Sequence, residues 1–173
     1  MGMREILFRG KRIDNGEWVM SGNLIHFNPE GEELHYYIPK VNAKCVCTHD
    51  ESDNILAIEE GTFYKVVPET VGQFTGLTDK NGKRIFEGDV IKADNGNGPP
   101  AIAVVKFGEN YPTMFYTMMD VLYPGYKRLP AISFYAESIG NHQHLILFQS
   151  PCVEVIGNIH DNPELIGERK DNG

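Results

Sequence analysis

Short apolar runs broken by glycine, asparagine and proline dominate the chain, and the elements they predict are strands joined by tight turns. Ile6-Leu7-Phe8 and Trp18-Val19-Met20 flank Asp14-Asn15-Gly16, where Asn and Gly tolerate positive φ, so the first segment reads as a hairpin. Leu24 to Phe27 extends that region, and Asn28-Pro29-Glu30-Gly31 is the next turn. Leu34, Tyr36 and Ile38 then alternate with His35 and Tyr37 in a half-buried strand that Pro39 closes. Asp50 to Asn54 is polar and loop-like, whereas Phe63-Tyr64-Lys65-Val66-Val67 is β-branched and aromatic enough for a further strand, ended by Pro68.

From Pro68 onward the glycine-punctuated strands become denser, which places a boundary between two lobes near residue 70. Gln73 to Leu77 leads into Asp79-Lys80-Asn81-Gly82, whose Asn-Gly step suits a hairpin turn, and Ile85-Phe86 follows as strand. Glu87-Gly88-Asp89 reverses the chain before Val90 to Ala93, and Asn95 to Pro100 is a loop. Ala101 to Phe107 is the clearest strand. Between Gly108 and Pro130, Tyr111, Phe115, Tyr116, Tyr123 and Tyr126 suit a long excursion packed on the second lobe. Ile132 to Tyr135, Leu145 to Phe148 and Val153 to Ile156 complete the strands, and Asn162-Pro163-Glu164-Leu165 reads as a capped helical turn with Asn at the N-cap and Pro at the first position. The fold class is therefore mainly β with little helix. Residues 3–69 form an N-terminal β lobe, 70–166 a second β lobe with an insertion near 108–150, and 167–173 a flexible tail.

Composition changes this picture modestly. The 173 residues suffice for about one domain or two small lobes. Eighteen glycines and ten prolines match the many reversals. Sixteen basic against 24 acidic residues give a net charge of −8, which opposes binding driven by phosphate neutralisation. No basic segment followed by an apolar stretch suggests a leader, and no apolar run is long enough for a membrane span, so a cytoplasmic protein is expected. Three cysteines are an odd count and argue against a disulfide framework.

Candidate chemistry is sparse. Cys45, Cys47 and His49 would share one face of an extended strand, and His142 and His144 form a second same-face pair, so together they are the candidate metal ligands. No second paired-ligand motif completes a zinc site, and the His142-Gln143-His144 spacing lacks a following carboxylate before Glu154. No metal or other cofactor is assigned on this basis. Gly76 to Arg84 resembles a phosphate-binding loop but holds five residues between its glycines where four are needed, and Arg84 stands where Ser or Thr would be. Glu87 and Asp89 read as turn chemistry rather than a catalytic pair. Basic residues gather at Arg4, Arg9, Lys11 and Arg12 near Trp18, and again at Lys80, Lys83 and Arg84. Arg9, Trp18, Lys80 and Arg84 are accordingly the candidate binding residues.

Four blocks in order then carry a resemblance: Arg4 to Arg12 with Gly16 to Val19; Thr70 to Lys83; Ile85 to Val90; and Val153 to Pro163. Together they resemble the YopX family of phage and prophage proteins. The resemblance implies a mostly β protein with an SH3-like barrel in the C-terminal half, encoded by a phage or prophage and acting in the bacterial cytoplasm. It implies no activity. Asn95 to Ser150 matches no part of that pattern.

The functional expectation is a non-catalytic protein-binding module, acting on another protein or on its own copies, because exposed aromatics suit interface cores. A nucleic-acid-binding protein is the alternative, resting on the two basic clusters. A metal-dependent enzyme using the Cys and His residues is the third reading. No membrane partner is expected.

Overall fold

The computed structural model describes residues 5–27, 35–40, 47–49, 55–58, 63–94, 99–110, 131–139, 142, 144–146 and 152–167. The chain divides into two compact units, Met1–Phe74 and Thr75–Gly173. Both are built from short antiparallel strands, and the helical content of the described residues is two three-residue 3-10 turns, Pro68–Thr70 and Pro163–Leu165.

In the first unit, β1 (Phe8–Lys11) pairs with β2 (Trp18–Ser21) through the turn at Asp14-Asn15-Gly16. Gly16 has φ of 72°, the left-handed conformation that this turn requires. Within the turn, Asn15 accepts the Glu17 N–H at 3.0 Å, and the Arg12 guanidinium bonds the Asp14 carboxylate. A second sheet runs β3 (Ile25–Phe27), β4 (His35–Pro39), β7 (Phe63–Val66). Between β4 and β7, β5 (Cys47–His49) and β6 (Ile55–Ile58) form a separate pair whose ladder shifts between Thr48 and His49. Arg12 bridges Val66, Ile13 donates to the Lys65 carbonyl at 3.0 Å, and Val67 donates to Lys11 at 2.8 Å, so the end of β1 also lines β7. This approach is close because position 10 is glycine: a Cβ there would lie 3.0 Å from Val66 Cβ and Cγ2. Ile38, Phe63, Val66 and Phe74 supply the buried apolar side chains of this unit. Thr70, also buried, accepts the Lys11 N–H at 2.8 Å and donates to the Val67 carbonyl at 2.6 Å.

β8 (Gly72–Thr78) serves both units. Gln73 and Gly72 pair with Phe8 and Arg9 of β1, and the rest of the strand neighbours β9 (Arg84–Phe86). The second unit continues with β10 (Asp89–Ala93), β11 (Ala101–Asn110), β12 (Ala131–Ser138), β13 (His144–Ile146) and β14 (Val153–Asn158). Its main sheet has the order β13-β12-β11-β10-β14 and is open. Closure into the SH3-like barrel that the resemblance implies is not seen among the described residues. Ile85, Ile91, Ala103, Val105, Ala136, Val153 and Val155 form its core, packed by Leu77 and Leu145.

Asp79, 6% exposed, fixes this unit at a turn. Its Oδ1 accepts the Asn81 and Lys83 N–H groups at 2.8 and 2.9 Å, and its Oδ2 accepts the Val155 N–H of β14 at 3.0 Å. Lys80 adds a backbone bond to the Val153 carbonyl at 2.9 Å. Gly82 has φ of 80°, as the Asn-Gly step requires. The Glu87-Gly88-Asp89 reversal is likewise turn chemistry, since Asp89 Oδ2 accepts the Phe86 N–H at 2.8 Å. After β14, Asn158 Oδ1 accepts the N–H groups of His160 and Asp161, each at 2.9 Å. Asn162 precedes its 3-10 turn as expected, yet makes no side-chain cap; its Oδ1 instead accepts the Asn158 N–H at 3.4 Å.

Burial alone would raise the pKa of Asp79, but the three backbone donors and the charge of Lys83 outweigh it and hold the carboxyl below its ordinary 3.8. A group whose folded pKa lies below its unfolded value contributes stability above the unfolded pKa and loses it as pH falls through the folded one. Urea unfolding across the acid range is therefore expected to show stability falling below pH 3.8, with that step absent in Asp79→Ala. At neutral pH the same variant is expected to lose about 1–3 kcal/mol, because the buried Val155 N–H loses its acceptor and the turn loses its bonds to the Asn81 and Lys83 N–H groups. Gly10→Ala is expected to lower the urea midpoint, at about 1–3 kcal/mol, as the new methyl meets Val66.

Candidate functional site

The first hairpin places cations and an aromatic ring on one face. Arg9 and Lys11 are two apart on β1, and the register sets Lys11 opposite Trp18 and Arg9 opposite Met20 on β2. The Arg9 guanidinium carbon lies 4.7 Å from the Trp18 ring centroid and the Lys11 ammonium 5.7 Å from it. Trp18 is half-buried, while Met20 beside it is 45% exposed. Each cation is thus held against the electron-rich face of the indole, an arrangement worth about 0.5–1 kcal/mol at exposed sites.

A cleft of about 400 Å³ opens elsewhere on the same unit, lined by Arg12, Ile13, Asp14, Lys40, Phe63, Tyr64 and Lys65. The Tyr64 ring has the Arg12 guanidinium at 4.5 Å and the Lys40 ammonium at 5.0 Å. Arg12 is already engaged by Asp14 and, at 3.4 Å, by Glu17. The hydrogen bond from Arg12 holds the Asp14 carboxyl below its ordinary range.

Of the residues singled out from sequence, Arg9 and Trp18 meet, and Lys80 and Arg84 belong to the second unit. Lys80 pairs with Glu154 at 2.7 Å, which offsets its charge, and Arg84 is exposed at the start of β9. Of the metal candidates, Cys45 and the side chains of Cys47, His49 and His144 lie outside the described residues. His142 is exposed, with φ of 51°, and its Nδ1 lies 2.7 Å from Glu137 Oε1. Lys106 bonds the same carboxylate, and its hydrogen bond, followed by that of His142, holds the Glu137 carboxyl below its ordinary range. Among the described residues no three of His, Cys, Asp and Glu are grouped to hold a metal ion.

Tyr64, Lys40 and Lys65 escaped the sequence reading as a site. Lys65 and Tyr64 stand in a strand pattern, but nothing local indicates that Lys40 and Arg12 reach the same ring, which follows from pairing β4 and the end of β1 on either side of β7.

The strand order and the turns define a mainly β protein of antiparallel hairpins and open sheets. The family model described as YopX protein matches residues 7–167, and the chain belongs to the YopX family. No curated protein matches it. Among solved structures, the crystal structure of protein EF1440 from Enterococcus faecalis is similar at 21% identity and a TM-score of 0.48, covering 94% of this chain and 98% of that one.

The chain has one tryptophan, so its fluorescence reports on this face alone. Arg9→Ala is expected to move Trp18 emission to longer wavelength as water reaches the indole, with a stability loss of about 0.5–1 kcal/mol by urea titration. An unchanged spectrum would show that the guanidinium does not cover the ring.

Proposed function

We propose that the chain is a non-catalytic protein-binding module and that it presents the Trp18 face of the first hairpin to its partner. The carrying observation is the stacking of Arg9 and Lys11 on Trp18 beside exposed Met20. Trp, Arg and Met are enriched where protein interfaces are buried, and the hairpin register holds these side chains in place before the partner arrives. The two cations favour a partner with acidic groups around an apolar contact. The alternative, single-stranded nucleic acid, draws on the same cation and aromatic pairing, but a net charge of −8 opposes the approach of a polyanion. The setting we infer is the bacterial cytoplasm, with a phage or prophage as the source. For the second unit we read a small SH3-like barrel, supported by the bonds from Asp79 and Lys80 to the outer edge of β14.

The test is affinity capture from bacterial lysate with the wild-type chain and Trp18→Ala as parallel baits, together with the mass of each in solution. A partner, or a self-assembled form, that Trp18→Ala depletes about tenfold or more fits the energetic weight of a central tryptophan. Equal capture by both baits overturns the assignment of the surface. A shift of single-stranded DNA or RNA at low salt that Trp18→Ala abolishes would replace this reading with the nucleic-acid one.

A further inference from the structure

An outer strand of a sheet is a template for a further strand, and proteins blunt such edges by keeping them short or covering them. Here β3, β9 and β13 have three residues each. Bonds from Asp79 and Lys80 occupy the edge of β14, and the end of β1 lines β7. Of the outer strands in the sheets of three or more strands, that leaves β2. The direction of its backbone follows from β1. The Lys11 N–H bonds Thr70 Oγ1 and the Lys11 C=O accepts the Val67 N–H, so both groups point away from β2. In an antiparallel ladder, pairs that exchange bonds alternate with pairs whose groups both turn outward. Lys11 pairs with Trp18 and Arg9 with Met20, so Met20 turns its N–H and C=O to the outer side of β2, while Val19 bonds Gly10. The Arg12 N–H bond to the Glu17 C=O at 2.9 Å, one pair earlier in the ladder, has the same phase. Among the described residues no backbone bond reaches Met20 from the outer side. The two faces of this edge differ. Met20 is 45% exposed on the face of Trp18, Arg9 and Lys11, whereas half-buried Val19 shares the face on which Gly10 meets Val66.

Resting on the reading that this hairpin binds a protein, we infer that the partner supplies an extended segment of alternating acidic and apolar residues, which adds to β2 as a further strand. Main-chain bonds to Met20 hold the segment. Its acidic side chains lie on the face of Arg9 and Lys11, and its apolar side chains continue the face of Val19.

Two measurements on the full chain test this. In the free protein, amide hydrogen exchange at Met20 should be about tenfold or more faster than at Val19, whose N–H is held by β1. The binding probe is the end-blocked peptide acetyl-Glu-Val-Glu-Val-Glu-Val-amide, titrated by calorimetry. Saturable one-to-one binding is expected, and the same peptide with lysine for glutamate should bind about tenfold or more weakly. Met20→Ala and Met20→Pro both remove the side chain, but only proline removes the N–H, a loss that an outward-facing edge position tolerates in folding. Met20→Pro should therefore bind the acidic peptide about tenfold more weakly than Met20→Ala, at a similar urea midpoint. The inference is overturned by a Met20 amide as protected as that of Val19, by absence of saturable binding, or by Met20→Pro binding within about twofold of Met20→Ala. Trp18→Ala separates the two readings. If it binds the peptide while Met20→Pro does not, strand addition stands and the assignment of Trp18 to the surface falls; the reverse pattern keeps the Trp18 face and removes strand addition.

Discussion

The buried carboxylate of Asp79 takes N–H groups from two distant parts of the sequence: Asn81 and Lys83 in its own turn, and Val155 on β14. A chain of short strands has many backbone groups at strand ends and edges, and each one buried without a partner costs about as much as a lost hydrogen bond. The second unit meets that cost with a side chain in place of another strand. One carboxylate shapes the hairpin turn between β8 and β9 and occupies the outer edge of β14. Thr70 has a comparable role in the first unit, accepting from Lys11 and donating to Val67.

Where strands and turns are set by neighbours in sequence, the pattern of residues was sufficient. The Asp14-Asn15-Gly16 reversal and the Asn81-Gly82 step needed only positive φ at a glycine, and both hairpins follow. Strand ends were harder. Ile6 opens an apolar run yet stands 53% exposed ahead of β1, because pairing with β2 begins only at Phe8. β11 continues past Phe107 to Asn110, since its pairing with β12 outruns its pairing with β10. Phe107, on the face of core residues Ala103 and Val105 by alternation, is consequently 52% exposed and packs on Phe134 at 4.9 Å. At Asn162 the residue type suited a cap, but the tight turn after β14 drew its side chain to Asn158.

The two candidate sites divide along the same line. Arg9, Lys11 and Trp18 come together through one hairpin whose register a local turn dictates, so a basic cluster beside a tryptophan was visible in the sequence. Tyr64 collects its cations from residue 12 and residue 40, and that meeting depends on long-range pairing on both sides of β7. Charge density along the sequence also misled: Lys80 looks like part of a basic group, but Glu154, some 74 positions later, sits 2.7 Å away and offsets it. Local positive charge in an acidic protein has to be counted after pairing.

β8 ends the first unit and begins the second within one uninterrupted strand, the division falling between Phe74 and Thr75. Gly72 and Gln73 are committed to β1 and the rest of the strand neighbours β9, so a protease can cut within β8 only after those ladder bonds open.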